Sequence, residues 1–367
     1  MTAKKIIKYT PGFNIHDVKK KYNIKNVIKL ASNENPFICD SVAKYIAKTK
    51  HDVNLYPDSI PENLLKEISK TLGNKIKPEN LIIGNGSNEI LEFISRASLD
   101  SSSEVIIPKH SFLVYEIICK LLKAKVIKSN SDKNKSSKNY LGIDVEDIIN
   151  KITKKTKLIF IANPGNPTGT YLELSIIEKF LHSIPKRISV VVDEAYYEYL
   201  EPSIDKSAVS LLKNHNNLFI TRSFSKIYGL ASLRVGYGIS SSNNIEKIKI
   251  YKQPFNTNLL AQKAAILALK DKKFIKKSKD NNTLAMQILT DVLKKLSINY
   301  LGTTCNFLTF EVGTKANKLF TYLLKQGIIV RPLINYKLPN YLRVSLGKPE
   351  DNNKFIKYLK IFYSEKI

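Results

Sequence analysis

The chain has 367 residues, 43% of them hydrophobic and 25% charged, which is ordinary for a soluble globular protein and long enough for two domains. No stretch approaches the roughly 18 apolar residues of a membrane span, and residues 1–8 lack the apolar segment of a signal peptide, so we expect no membrane partner. The formal net charge of +27 would suit a nucleic-acid binder, but the lysines are spread along the chain and no binding motif stands out, so we expect no nucleic-acid partner.

Short apolar segments alternate with helical patterns from about residue 81 to residue 252. Helices are predicted at 90–99 and 115–122. Strands are predicted at 81–83, 104–107, 125–127, 158–161, 188–192, 218–220 and 235–239. This alternation predicts a mainly parallel sheet between two layers of helices, which is a three-layer α/β/α domain.

The pattern changes after residue 258. Longer helices are predicted at 259–270 and 274–296, and strands return at 307–312, 328–331 and 342–346. Because helices and strands no longer alternate regularly, this part of the sequence predicts a smaller α+β domain.

Lys226 follows a predicted strand, with Ser223 and Ser225 before it and Arg234 eight residues later. An amine, two hydroxyls and a guanidinium at the end of a strand suit a phosphorylated aldehyde. The amine would form a Schiff base, and the other groups would hold the phosphate. The spacing alone also fits a solvated loop after a strand.

Two further segments carry polar side chains directly after predicted strands. Asp193 ends the β-branched run 190–192, at the edge where open α/β sheets bind ligands. There Asp193 could hold a pyridine nitrogen protonated, and Tyr196 could donate to the phenolate oxygen of the same ring. Asn166, in the Pro- and Gly-rich turn 163–169, could reach that oxygen from the other side. A helix N-cap at Asp193 and a plain loop at 163–169 remain the alternatives.

With these three segments in this order, the sequence resembles the fold-type-I pyridoxal-phosphate aminotransferases, and within them the histidinol-phosphate aminotransferases. The resemblance extends from residues 9–12 to residues 342–347. It implies pyridoxal 5'-phosphate as the cofactor, and a ping-pong reaction of L-histidinol phosphate and 2-oxoglutarate through a Schiff base on Lys226. An aromatic (Phe/Tyr) aminotransferase and, less well supported, a decarboxylase of a phosphorylated amino acid remain alternatives.

The segment 84–89 follows a strand and opens a helix, and its glycines let a ligand approach the backbone. Free N–H groups at a helix N-terminus form a seat for a phosphate, although such a turn is often only structural. By the resemblance, Ser87 and Asn88 meet the cofactor phosphate there. The resemblance also assigns Ser223, Ser225 and Arg234 to this phosphate site.

Three more residues are assigned by the resemblance. Phe112 would stack on the pyridine ring, with a core phenylalanine as the alternative. Tyr56 would reach the phosphate of a neighbouring subunit, which implies a homodimer with shared active sites. Asn35 belongs to a loop, 33–36, that would lie near the substrate, unless it is a surface turn.

Arginine suits the bidentate capture of a carboxylate or a phosphate, and Arg331 and Arg343 both lie in predicted strands. The resemblance implies that Arg343 binds the α-carboxylate of glutamate in one half-reaction and the phosphate of histidinol phosphate in the other. Arg331 would assist, and a surface ion pair is the alternative for each. Phe13 and Lys337 depart from the family pattern, which more often has lysine and glycine there.

The resemblance also completes the assignment of roles and domains. Lys226 would be the general base and acid, Asp193 would keep the ring nitrogen protonated, and Tyr196 would tune the ring oxygen. The large domain would span 45–258, and the discontinuous small domain would combine 1–44 with 259–367. No metal site is expected, and three cysteines without a CxxC pair favour reduced thiols in the cytoplasm.

Overall fold

The structure is a computed structural model that describes residues 13–48, 54–73, 75–200 and 207–364. The segment 9–12, where the family resemblance begins, lies outside the described residues. The helices are α1 (Ile15–Tyr22), α2 (Asp40–Lys48), α3 (Glu62–Thr71), α4 (Ser87–Ser98), α5 (Leu113–Leu121), α6 (Val145–Asn150), α7 (Leu174–Ser183), α8 (Ser242–Lys249), α9 (Leu259–Lys270), α10 (Lys272–Lys295), α11 (Ala316–Lys325) and α12 (Pro349–Ser364). The strands are β1 (Ile28–Lys29), β2 (Leu81–Gly84), β3 (Glu104–Pro108), β4 (Lys125–Ser129), β5 (Thr156–Ala162), β6 (Ser189–Asp193), β7 (Leu218–Ser223), β8 (Gly236–Ile239), β9 (Phe307–Glu311), β10 (Ile328–Ile329), β11 (Arg331–Pro332) and β12 (Tyr341–Ser345).

A seven-stranded sheet forms the centre, in the order β2-β8-β7-β6-β5-β3-β4. Strands β3 to β7 run parallel, and β8 runs antiparallel to both of its neighbours. The inner strands β3, β5 and β6 are mostly apolar and buried, as expected when both faces of a sheet are covered. The prediction of a mainly parallel sheet is therefore confirmed.

Alternate side chains of the sheet enter two separate hydrophobic clusters. Ile159 and Val190 belong to one cluster, while their neighbours Phe160 and Val191 belong to the other. Since successive side chains of a strand point to opposite faces, the clusters lie on the two faces of the sheet. Helices α3, α7 and α9 supply the first cluster, and α4, α5 and α8 supply the second. The predicted three-layer α/β/α arrangement is confirmed.

A further hydrophobic cluster lies outside this sheet. It joins Val18 and Leu30, near the start of the described chain, to buried residues of α10, α11 and α12. The antiparallel sheet β11-β12-β9 belongs here, and β1 pairs in parallel with β10. The predicted domain limits remain a proposal, and one helix beyond residue 258 packs elsewhere, since α9 lies against α2 and α3. Within the described ranges, no helix is both long and apolar enough to cross a bilayer.

The centre of the sheet should dominate the stability of the fold. Ile159 lies in β5 and is 0% exposed, so Ile159→Ala would leave a cavity between the sheet and its helices. We expect a loss of about 2–5 kcal/mol in the free energy of unfolding, measured by urea titration. Leu284→Ala on the exposed face of α10 is the control and should change it by less than about 0.5 kcal/mol. Equal effects of the two substitutions would contradict this account of the core.

Candidate active site

A cavity of about 280 Å³ opens at the carboxyl ends of the parallel strands. The ends of β5, β6 and β7, the first turn of α4 and the residue before α5 contribute to its wall. The segment 31–34 and the arginines of β11 and β12 close it from the other side. Residues far apart in the sequence therefore meet where open α/β folds bind their ligands.

Lys226 follows β7 and lines this cavity. Its Nζ atom donates to the carbonyl oxygen of Ser32 at 3.3 Å and lies 5.6 Å from the ring centre of Tyr196. Burial, followed by the positive charge of Arg343, lowers the pKa of Lys226 to about 8. A substantial fraction of the amine is therefore neutral and nucleophilic near that pH.

Asp193 is the last residue of β6 and is almost fully buried in the cavity wall. The Tyr115 hydroxyl donates to Asp193 Oδ2 at 2.6 Å, and the Thr221 hydroxyl donates to Oδ1 at 2.9 Å. Burial raises the pKa of Asp193, and these two donors act against that rise. Sequence reasoning missed both donors. Thr221 is the register partner of Asp193 on β7, and strand pairing cannot be read from one sequence.

Tyr196 and Asn166 both line the cavity, as the sequence predicts. The Tyr196 hydroxyl accepts a hydrogen bond of 2.8 Å from Asn33 Nδ2, and burial raises the pKa of that hydroxyl. Asn166 Oδ1 accepts from the guanidinium of Arg343. Tyr196 is thus bonded to the segment 31–34, and Asn166 is bonded to β12. The sequence analysis did not identify the contact between Asn33 and Tyr196.

The predicted phosphate site is assembled around the start of α4. Ser87 begins that helix, and its N-cap residue, Gly86, has a φ of 82° and offers no side-chain acceptor to the free N–H groups. Arg234 Nη1 lies 3.2 Å from Ser225 Oγ, and Ser87, Asn88, Ser223, Ser225 and Arg234 all line the cavity. A Cβ atom on Gly86 would displace the end of the Arg234 side chain, and the positive φ of Gly86 favours glycine at this position.

These features fit the phosphate of pyridoxal 5'-phosphate. Uncapped helix N–H groups, hydroxyls and one guanidinium are the donors that a phosphate dianion requires. Asp193 offers a carboxylate suited to a protonated ring nitrogen. Phe112 also lines the cavity, and it meets the Tyr115 ring edge-on with 5.7 Å between ring centres.

A second cationic site comes from β11 and β12. Arg331 and Arg343 are register partners, both are buried, and both line the cavity. Arg343 Nη2 donates to the carbonyl of Ala31 at 3.0 Å, whereas its Nε has no hydrogen-bond partner among the described residues. Two buried guanidinium groups in the wall of one cavity favour an anionic ligand.

Two predicted residues do not line the cavity of their own chain. Tyr56 is 82% exposed and stacks on Phe255 with 4.7 Å between ring centres. Asn35 donates to the carbonyl of Ile227 at 2.7 Å and to the Ser278 hydroxyl at 2.9 Å, so its amide supports the loop. Asn33 and Glu34 line the cavity instead.

Comparisons with known proteins agree on one family. The family described as aminotransferase class I and II matches residues 25–359. A histidinol-phosphate aminotransferase of Pelagibacter ubique is 40% identical over 365 residues, covering 98% of each chain. Histidinol-phosphate aminotransferase 1 of Idiomarina loihiensis is 39% identical over 359 residues, which is 98% of this chain and 95% of that protein.

Solved structures give the same picture of the fold. The histidinol-phosphate aminotransferase of Clostridium acetobutylicum has a TM-score of 0.82 and 28% identity, over 92% of this chain and 100% of that one. That of Sinorhizobium meliloti, solved in complex with pyridoxal-5'-phosphate, has a TM-score of 0.86 and 20% identity, over 100% of this chain and 98% of that one. Because its sequence identity is only 20%, the Sinorhizobium meliloti structure shows a shared fold and nothing about function.

The lowered pKa of Lys226 can be tested on the ligand-free protein. Only the neutral amine reacts with acetic anhydride, so acetylation of Lys226 should rise with pH and reach half of its maximum near pH 8. In Arg343→Gln this midpoint should move to higher pH, because a neighbouring positive charge is removed. Mass spectrometry of the Lys226 peptide measures both curves, with exposed lysines of the same sample as the internal control. A Lys226 curve that matches those lysines would contradict the assignment.

Proposed function

The chain belongs to the class I and II aminotransferase family, and from this membership we propose that it converts L-histidinol phosphate and 2-oxoglutarate to imidazole acetol phosphate and L-glutamate. This reaction is a step of histidine biosynthesis. The observation that carries the proposal is a partly neutral amine, Lys226, in a cavity with two separate sites for anions. One site suits the cofactor phosphate, and the other suits the anionic group of the substrate.

Pyridoxal 5'-phosphate is the cofactor of this reaction, and when bound it supplies an aldehyde for the amine and a ring that withdraws electrons from the substrate α-carbon. The first turn of α4, together with Ser223, Ser225 and Arg234, would hold its phosphate. Phe112 would pack against the ring. Asp193 would hold a proton on the ring nitrogen, and Tyr196 and Asn166 would donate to the ring oxygen.

Lys226 is the residue that moves the proton. Its pKa of about 8 lets the amine accept a proton from the substrate α-carbon and return one later, without a large energetic cost in either direction. Asp193, buried and accepting two hydrogen bonds, would stabilise positive charge on the ring nitrogen. The proposed reaction needs Lys226 and Asp193 in the same cavity, and the ends of β6 and β7 bring them there.

Arg331 and Arg343 would select the substrates. Histidinol phosphate has no carboxylate, whereas glutamate and 2-oxoglutarate do, so one site must accept a phosphate and a carboxylate in turn. A guanidinium pair accepts either anion, because both present oxygens with bidentate geometry. The full-length relatives are named for histidinol phosphate, so neither the aromatic aminotransferase nor the phosphoamino-acid decarboxylase is favoured.

Substrate preference is tested by single-turnover assays on the cofactor-loaded protein. L-Histidinol phosphate should convert the bound cofactor to its amino form, followed by absorbance, while L-phenylalanine at the same concentration should convert much less. Lys226→Ala should lower the turnover by several orders of magnitude, since the nucleophile and the proton carrier are lost together. Equal conversion by phenylalanine would indicate an aromatic aminotransferase. Near-normal turnover by Lys226→Ala would reject the mechanism.

We also propose that the active enzyme is a homodimer in the cytoplasm. Large apolar side chains are exposed in two neighbouring segments, namely Leu55, Tyr56, Ile60, Ile250 and Phe255. The Tyr56–Phe255 stack and a 2.8 Å hydrogen bond from Lys252 to the Ser59 carbonyl hold these segments together. Exposed apolar side chains on two segments that contact each other favour a protein partner, and a second copy would bring Tyr56 to the cofactor phosphate. The three free, buried cysteines suit a reducing compartment.

Shared active sites predict complementation between two defective variants. Lys226→Ala and Tyr56→Ala each damage the site in which that residue acts, so a mixed dimer keeps one intact site. Unfolding and refolding an equal mixture should restore about a quarter of the wild-type activity, because half of the dimers are mixed. Each variant refolded alone is the control. Activity no higher than the mean of the controls, or an active monomer in gel filtration, would reject the shared site.

A further inference from the structure

Tyr115 is a buried tyrosine that none of the proposed roles uses. It lies in α5, is 0% exposed and lines the cavity. Its ring stacks on Phe160 of β5, with 4.6 Å between centres and 4° between planes. It also meets Phe112 edge-on, at 5.7 Å. Contacts on two sides therefore fix where the hydroxyl points.

The Tyr115 hydroxyl points at Asp193. The 2.6 Å bond to Oδ2 and the 2.9 Å bond from Thr221 to Oδ1 give each carboxylate oxygen its own side-chain donor. The other charged groups nearby are Glu194, which is paired with Arg222 at 2.9 Å, and Lys226 across the cavity. Short bonds from hydroxyl donors are typical of an ionised acceptor.

We propose that Tyr115 is a positioning residue whose hydroxyl keeps the buried Asp193 carboxylate ionised and oriented toward the ring nitrogen of the cofactor. The inference rests on the proposed function, because it needs a ligand with a protonated nitrogen. Tyr115 acts only through Asp193 and makes no contact with the reacting atoms. Its contact with Phe112 also places the residue that would pack on the ring.

Two opposing effects decide the charge of Asp193. Burial raises the pKa of the carboxyl group, and the bonds from Tyr115, Thr221 and the Ala195 backbone lower it. Because the pKa of Asp193 is raised, its carboxyl group would take up a proton as the pH falls. A neutral carboxylic acid cannot form an ion pair with a pyridinium. Removing the Tyr115 donor should raise the pKa of Asp193 further. The pH below which cofactor binding weakens should therefore be higher in the variant.

Tyr115→Phe tests this, because it keeps the stacking ring and removes only the hydroxyl. The affinity of the full-length, ligand-free protein for pyridoxal 5'-phosphate is measured by calorimetry from acid to neutral pH. The same series uses the analogue in which CH replaces the ring nitrogen. As the pH falls, each protein should lose its preference for the nitrogen-containing ligand over the analogue. In Tyr115→Phe we expect this loss at a pH about one to two units higher than in the wild type, which is the size expected for one lost hydrogen bond to a charged group. Affinity for the analogue should follow the same pH dependence in both proteins.

Two further variants make the test specific. Thr221→Val removes the donor to Asp193 Oδ1 and keeps a side chain of similar volume. It should therefore shift the pH dependence of the ligand preference in the same direction. It also serves as the test if Tyr115→Phe fails to fold. Tyr341→Phe also removes a hydroxyl from a buried tyrosine, one bonded to Tyr140 outside the cavity wall, and should leave the profile in place. Coincident profiles for wild type, Tyr115→Phe and Thr221→Val would overturn the positioning role alone. A wild-type protein that does not bind the cofactor would overturn the proposed function, and this inference with it.

Discussion

The burial of Asp193 at the end of β6 is the constraint on which the site depends. A carboxylate loses its hydration there, and only fixed donors can replace the lost water. The parallel register puts Thr221 of β7 beside it, and α5 brings Tyr115 to its other oxygen. The register of β6 and β7 and the packing of α5 therefore give each oxygen of this carboxylate one side-chain donor, while Asp193 still lines the cavity.

The N-terminal segment adds a second set of fixed contacts. The backbone N–H of Asn33 donates to Ser345 Oγ at 2.8 Å, and its carbonyl oxygen accepts from Asn306 Nδ2 at 2.9 Å. Its amide donates to Tyr196, and its φ of 57° lies in the left-handed region that asparagine tolerates better than most residues. Asn33 thus connects the first described segment to the small antiparallel sheet and to Tyr196, which follows β6.

The sequence predicts the sheet and most of the cavity wall for a simple physical reason. Strands buried on both faces are apolar runs, and a ligand site in such a fold follows the strand ends. Asp193 and Lys226 are therefore candidates by position, and the family resemblance selects them over a helix N-cap and a plain loop. The contact of Tyr115 with Asp193 spans 78 residues, and that of Asn33 with Tyr196 spans 163, so no local pattern records either. Asn33 and Asn35 are equivalent in the sequence pattern. The left-handed backbone at Asn33 and the two bonds of Asn35 decide which of them faces the cavity.

The proposed phosphate site around Gly86 and Arg234 has a consequence for work with the protein in ordinary laboratory buffers. Donors that suit a phosphate ester also suit inorganic phosphate and sulfate. A ligand that binds only the folded state stabilises it increasingly as its concentration rises, so we expect these salts to raise the melting temperature of the ligand-free protein. They would occupy the same donors as the cofactor and would therefore slow its uptake. Buffers that protect the protein in storage would then be the ones that delay its reconstitution.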